Sequence, residues 1–299
     1  MDDGWIGRAR RRLLALADGG CWGYRHGAPT SPEATALAAL GLLATAGDPD
    51  LRTFASGAGD GLARLQRRDG SLGVVATMTM PGWATSFALL LWQAVGGFDD
   101  ERRRAAAWLL GERVATTPRA AEPDRITGHD PSVPGWPWVE DTHPWVEPTA
   151  MALLALAREG FIGHPRVSDG ERLLRDREIA TGGWNYGNTA VFGRALRPQP
   201  APTGLSLLAL AACGGKRREV GTSLDYLRGS LPTVRAAISL GWGVLGLRAW
   251  GCSPAQAEEW LSESAEAVLG REDAAPRLGL LLIASAASGV GLLVPRSPG

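Results

Sequence analysis

The sequence predicts a single all-α domain, an (α/α)6 toroid in which six helical hairpins close into a ring. Three observations predict it: a helix-start pattern that recurs along the chain, an alternation of amphipathic with wholly apolar helices, and a last apolar helix that is among the most apolar of the set. The recurring start is Ser31-Pro-Glu-Ala-Thr35, with counterparts in Gly82-Trp-Ala-Thr85, Trp145-Val-Glu-Pro-Thr149 and Pro200-Ala-Pro-Thr203. Two further copies, Pro232-Thr-Val-Arg235 and Ala275-Pro-Arg277, carry arginine in the threonine position. Proline is at home in a first helical turn, where its missing N–H has no partner to lose. Gly47, Gly96, Gly160, Gly214 and Gly251 supply stop signals.

The expected inner helices run over 32–46, 83–95, 148–159, 202–213, 232–250 and 276–288. Each is apolar nearly all round and therefore buried. Each follows a charged, amphipathic outer segment, over 6–17, 54–67, 101–113, 166–177, 219–229 and 254–269. An open solenoid would end in a polar repeat, and the apolar sixth inner helix favours closure. Residues 278–294 are uncharged, but their Ala, Ser and Gly content and their place in the repeat assign them to the ring rather than to a membrane span.

The 299 residues are 45% hydrophobic, enough for a large core, and no linker divides them, so 1–299 reads as one domain. Basic and acidic residues balance at 31 each, which argues against a nucleic-acid partner. Cys21, Cys213 and Cys252 are odd in number and far apart, so neither a disulfide framework nor a cysteine-rich zinc site is expected. With no apolar leader after Met1, the expected location is cytoplasmic, with membrane association at the surface as an option.

The loops from outer to inner helix carry a family resemblance. Gln66-Arg-Arg-Asp-Gly-Ser-Leu72 resembles the Gln-x3-Gly-x-Trp repeat of squalene–hopene cyclases, with leucine for tryptophan. Gly20-Cys-Trp22, Gly182-Gly-Trp184 and Gly135-Trp-Pro-Trp138 are similar to its second half. The chain thus looks like a member of the terpenoid cyclase and protein prenyltransferase superfamily along its whole length. Protein prenylation is not expected, because the Asp, Cys and His that hold zinc in those enzymes have no counterpart: Cys213 and Cys252 follow inner helices at the opposite end.

In a toroid all six outer-to-inner loops emerge at one end, the mouth, where six of the twelve tryptophans fall. The longest loop, 115–145, lies there as an insertion in the third repeat. Trp145-Val-Glu-Pro-Thr149 runs in register with the Asp-x-Asp-Asp-Thr motif of class II terpene cyclases. The resemblance therefore puts Glu147 on the proton-donating carboxylate, while Trp145 and Pro148 replace its acidic neighbours. Glu33 holds the same place in the first repeat, and Asp141 is a further candidate catalytic carboxylate. Against a catalytic role, a carboxylate in a first helical turn is favourable in any case.

Trp83, Trp136, Trp138, Trp145, His143 and Tyr186 are candidate substrate-binding groups. Trp136, Trp138 and Trp145 stand outside a regular repeat slot and are read as cavity wall. Trp22 and Trp184 are read as hairpin packing. Arg235 and Arg277 would either pair with the carboxylates or hold an anionic substrate group. No cofactor is expected. A divalent metal at Asp141-x-His143-x3-Glu147 is the weaker alternative, since the spacing matches no strong motif and Pro144 interrupts it.

The resemblance implies acid-initiated cyclisation or isomerisation of an isoprenoid or similarly apolar small molecule. The expected closure of the mouth is a membrane surface or a protein partner. Two other readings remain open: a carbohydrate-active (α/α)6 enzyme with Glu33 and Glu147 as its carboxylate pair, and a non-catalytic module binding a ligand or peptide.

Overall fold

The computed structural model describes residues 4–45, 49–78, 80, 82–118 and 128–295. Among them are thirteen helices and one two-stranded hairpin. In chain order they are α1 (Trp5–Leu16), α2 (Pro32–Ala44), α3 (Pro49–Leu65), α4 (Thr85–Val95), α5 (Asp99–Gly111), α6 (Val146–Arg158) and α7 (Pro165–Asp176). The antiparallel strands β1 (Ala190–Val191) and β2 (Arg194–Ala195) follow, then α8 (Pro200–Ala212), α9 (Gly221–Ser230), α10 (Ala237–Ala249), α11 (Ala257–Val268), α12 (Ala274–Ser285) and α13 (Gly289–Leu293).

The even-numbered helices form the ring. Each touches the next, α2 through α12, and α12 returns to α2, so the toroid is closed. Their composition dictates this position. Every residue of α2 is buried except Glu33 and Ala44. An outer helix such as α7 buries only Val167, Gly170, Leu173 and Leu174, one stripe at helical spacing. Ser31 caps α2 by accepting the Ala34 N–H, with Pro32 in the first turn. Gly96 and Gly160 leave α4 and α6 with φ of 84° and 91°, as stop residues do; Gly47 lies outside the described residues.

At two seams the ring closes backbone to backbone. A Cβ on Gly279 would lie 2.3 Å from the Leu37 carbonyl oxygen, and one on Gly41 2.5 Å from that of Gly279. Between α8 and α10, a Cβ on Gly246 would lie 2.5 Å from the Gly204 oxygen. Mid-helix glycine weakens a helix; here it brings neighbouring helices into direct contact.

Two expectations require correction. The fifth inner helix starts at Ala237, because Pro232 sits instead in a 3-10 turn, Leu231–Thr233, followed by extended chain. Residues 278–294 are not one helix. The chain breaks after α12, and the short α13 folds across the end opposite the mouth, touching α2, α4, α6 and α10. Among the described residues, no helix is long and apolar enough to cross a membrane. All three cysteines are free.

Candidate functional site

One device builds the mouth four times. Thr35, Thr85, Thr149 and Thr203, in the first turns of α2, α4, α6 and α8, are fully buried. Their hydroxyls accept the backbone N–H of Trp22, Leu72, Trp136 and Trp184 at 3.0, 2.9, 2.8 and 2.9 Å. Each such bond adds about 1 kcal/mol, and together they fix every loop to the helix it feeds. The indole N–H of Trp22, Trp136 and Trp184 then donates to Leu13, Leu109 and Leu174, at the ends of α1, α5 and α7. These three tryptophans staple outer to inner helices.

Trp136 is therefore not cavity wall. It is 1% exposed, the Arg166 guanidinium lies 4.0 Å above its ring, and it occupies the same slot as Trp22 and Trp184. The long insertion precedes the slot and hides it in the sequence. Residues 119–127 of that insertion lie outside the described residues.

The repeat also aims the residues around the slot. Two positions before the threonine come Glu33, Trp83 and Glu147, all half-buried, and then the buried Ala201. Two positions after the slot come Tyr24, Val74, Trp138 and Tyr186. Tyr24 donates its hydroxyl to Glu33 Oε2 at 2.5 Å. Burial pushes the Glu33 carboxyl up to about 7, opposed by that hydrogen bond. Burial and then the charge of Glu33 push Glu147 up to about 7 as well. The Tyr24 hydroxyl is raised by burial and by Glu33, and that of Tyr186 by burial and by Glu147. Glu33 and Glu147 thus share one end of the barrel, the charge of Glu33 acting on Glu147, each with a tyrosine beside it. The sequence already contained a signal for the tyrosines in the repeated Trp-x-Tyr of Trp22-Gly-Tyr24 and Trp184-Asn-Tyr186.

The remaining candidates fall into separate groups. Trp83 meets Trp138 edge to face at 4.9 Å, and His143 meets Trp145 in the same manner at 6.2 Å. Trp145 precedes α6 and packs over Gly187, where a Cβ would lie 2.6 Å from its ring. His143 is also 5.8 Å from the His129 ring, and burial and Arg177 lower its pKa. Asp141 is exposed, holds a φ of 61° and pairs with Arg113 at 2.7 Å. Arg235 pairs with Glu263 and lies 5.7 Å over Trp260. Arg277 pairs with Asp273 at 2.6 Å. Neither arginine pairs with Glu33 or Glu147, so that ion-pair expectation is replaced by these local partners. Among the described residues, no group of three His, Cys, Asp or Glu side chains converges to hold a metal.

Glu112 went unnoticed in the sequence. It follows α5, is 5% exposed, and among the described residues neither carboxyl oxygen has a hydrogen-bond partner. Burial raises it to about 8; Arg166 opposes the shift and Glu140 adds to it. A carboxyl raised above its unfolded value binds protons more readily in the native state, so stability declines as pH rises from its unfolded pKa to its folded one. With Glu33 and Glu147 raised to about 7 and Glu112 to about 8, the melting temperature is expected to fall as pH rises from about 4.5 to about 8 and to level off above it. Glu112→Gln should flatten that slope and leave the protein more stable than wild type at pH 9, by roughly 2 kcal/mol. Thermal melts across this range check it; an unchanged slope would refute the assignment.

No protein-family model matches the chain, and a search of the curated proteins finds no match. Solved structures do match. Type II terpene cyclase MstE from Scytonema is similar with a TM-score of 0.57 and 19% identity, over 89% of this chain and 77% of that one. A protein from Actinoplanes matches with a TM-score of 0.57 and 18% identity, over 88% and 78%. Salmonella alpha-2-macroglobulin matches with a TM-score of 0.52 and 16% identity, over 94% of this chain and 18% of that one. Proteins of such different kinds share the architecture, so activity is argued from the mouth; what the likeness establishes is that this chain folds as the all-α toroid seen in type II terpene cyclases.

Proposed function

We propose that the chain is a terpenoid-cyclase-like enzyme that protonates an isoprenoid or similarly apolar substrate at the mouth of the toroid. The observation that supports this most is the pair Glu33 and Glu147. Among the described residues neither has a cationic partner, and both are held near pH 7 by burial beside aromatic side chains. A buried carboxylate without a cation is costly to keep, and such perturbed groups concentrate at functional sites. Two coupled carboxyls near neutrality hold about one proton between them.

Glu147 donates that proton to a substrate alkene carbon. The π pair forms the new C–H bond, the carboxyl becomes a carboxylate, and a carbocation remains on the neighbouring carbon. A further alkene closes a ring onto it, or loss of a neighbouring proton ends the reaction as an isomerisation. Trp83 sits at the equivalent position of the repeat between the two acids. Its indole, meeting that of Trp138 edge to face, adds an aromatic surface suited to the stabilisation of a cation. Glu33 with Tyr24 keeps Glu147 protonated by its charge.

MstE has been described in complex with geranylgeranyl dihydroxybenzoate as substrate and merosterolic acid A as product. Polyprenylated aromatic compounds are accordingly the substrates to try first. Turnover in D2O is expected to give a product carrying one deuterium on the carbon that was protonated, read by mass spectrometry. A product without deuterium, or no conversion across prenyl chain lengths, would refute acid initiation.

A further inference from the structure

We propose that the toroid admits only the terminal isoprene unit of its substrate, because two layers of apolar side chains fill the ring directly beneath the acids. The proposal rests on the reading of the mouth as the site of an isoprenoid, and adds the depth to which that molecule enters. The register of the six inner helices supports it. Residues four and seven positions further along a helix lie on the face of the starting residue. In α2, α4, α6 and α8 the starting residue is the one two places before the threonine: Glu33, Trp83, Glu147 and Ala201.

The other two inner helices are placed by their contacts. A Cβ on Gly204, three residues past Ala201, would lie 2.3 Å from the Trp242 carbonyl oxygen on α10. One on Gly241 would lie 2.6 Å from the Leu280 side chain on α12, and one on Gly279 would lie 2.3 Å from the Leu37 oxygen on α2. Leu37 is four residues past Glu33, so the same contact puts Trp242 and Leu280 four past Ile238 and Pro276. Those two residues start the pattern in α10 and α12.

At the starting level the ring is open, and Glu33, Trp83, Glu147 and Ile238 are only half-buried. Four residues along each helix stand Leu37, Phe87, Met151, Leu205, Trp242 and Leu280, none more than 5% exposed. Seven residues along stand Leu40, Leu90, Leu154, Leu208, Leu245 and Ile283, every one 0% exposed. Each inner helix therefore gives one large apolar side chain to each layer. A side chain at 0% has no room for water beside it, whereas a channel wide enough for a prenyl chain would leave its walls accessible. The seams α8–α10 and α12–α2, closed backbone to backbone, narrow the ring to a bore that these side chains fill at the density of a protein interior. From the other end α13 covers the ring.

The floor thus lies four residues below the acids, a helical rise of about 6 Å, close to the length of one isoprene unit. The alkene beside Glu147 is then the last one of the chain, and the rest of the molecule stays at the mouth. Glu147 gives its proton to that alkene. The cation left on the neighbouring carbon either loses an adjacent proton or is closed once by the next alkene, folded back over the floor. No wall exists below to hold a longer chain in the folded form that successive ring closures require, so the product carries at most one new ring.

Calorimetric titration of the Glu147→Gln protein with dihydroxybenzoates bearing one, two, three or four isoprene units tests the depth without requiring turnover. Affinity is expected to change by less than about threefold across the series. Burial of each further unit would raise it roughly several hundredfold, and such a rise would overturn the proposal, as would absence of binding at every length. Phe87→Ala in the same background, or Met151→Ala if that protein does not fold, opens the floor and should let the second unit add about tenfold. Leu89→Ala also empties core volume, but four residues past Thr85 it lies on the face turned to the outer helices, and affinity should stay flat with length. A flat profile in the floor variants, or a length dependence created equally by Leu89→Ala, would overturn the proposal. With the wild-type protein, the four-unit compound should give an isomer or a monocycle by NMR; a polycyclic product would overturn it. Flat affinity with no turnover would end the catalytic reading and leave the depth of entry standing.

Discussion

Replacing Glu147 by Gln is expected to lower the turnover rate about a thousandfold, the scale of a positioned general acid, while substrate binding stays within a few-fold. The amide keeps the shape of the side chain and removes the proton that can be delivered. The substitution should not cost stability. The Glu147 carboxyl is raised to about 7 by burial and by Glu33, and among the described residues no cation is paired with it. Its removal relieves the native state above that pH. Wild-type kcat should fall as pH rises through about 7, where the donor ionises. Glu33→Gln should move that fall to lower pH, because the charge that holds the proton on Glu147 is gone. Steady-state rates over pH 5–9, with melting curves for each variant, check all of this. Wild-type turnover by Glu147→Gln would end the catalytic assignment and bring the ligand-binding reading forward.

The second large effect belongs to Trp136. Trp136→Ala is expected to cost about 3–5 kcal/mol of stability, as truncation of a buried tryptophan does. Its indole lies between α5, α6 and α7, donates to the Leu109 carbonyl at 2.8 Å and carries the Arg166 guanidinium on its face. Gly170 exists to admit the ring, since a Cβ there would come within 2.6 Å of it. Trp138→Ala, two residues along and half-buried against Trp83, should cost less than half as much stability and act mainly on turnover. Denaturant titration of the two variants separates packing from wall. Similar stability losses in both would show that the two tryptophans do one job.

The pairing of these residues also measures how far the sequence reached. The placement of Glu33 and Glu147 at one end of the barrel was legible because each lies two positions before a threonine in a repeated helix start, and a repeat aims equivalent positions alike. Trp136 was misassigned because its slot is defined by contacts, a threonine hydroxyl on its backbone and an outer-helix carbonyl on its indole, and not by distance from the preceding helix. Asp141, Arg235 and Arg277 were singled out by residue type and loop. Their partners, Arg113, Glu263 and Asp273, are set by which side chain reaches which across a turn or a neighbouring helix.

What the sequence determined by itself was the six helical hairpins and the closure of their inner helices into a ring. Wholly apolar helices alternating with amphipathic ones have one economical way to bury their surface, and that pattern is local and periodic. Four things were left to the tertiary structure. These are the charge of Glu33 on Glu147, the burial of Glu112 without a hydrogen-bond partner among the described residues, the folding of α13 across the far end, and the exposure of Met78, Met80 and Phe192 on their loops. Each depends on distances between residues far apart in the chain, and periodicity carries no information about such distances until the ring has closed.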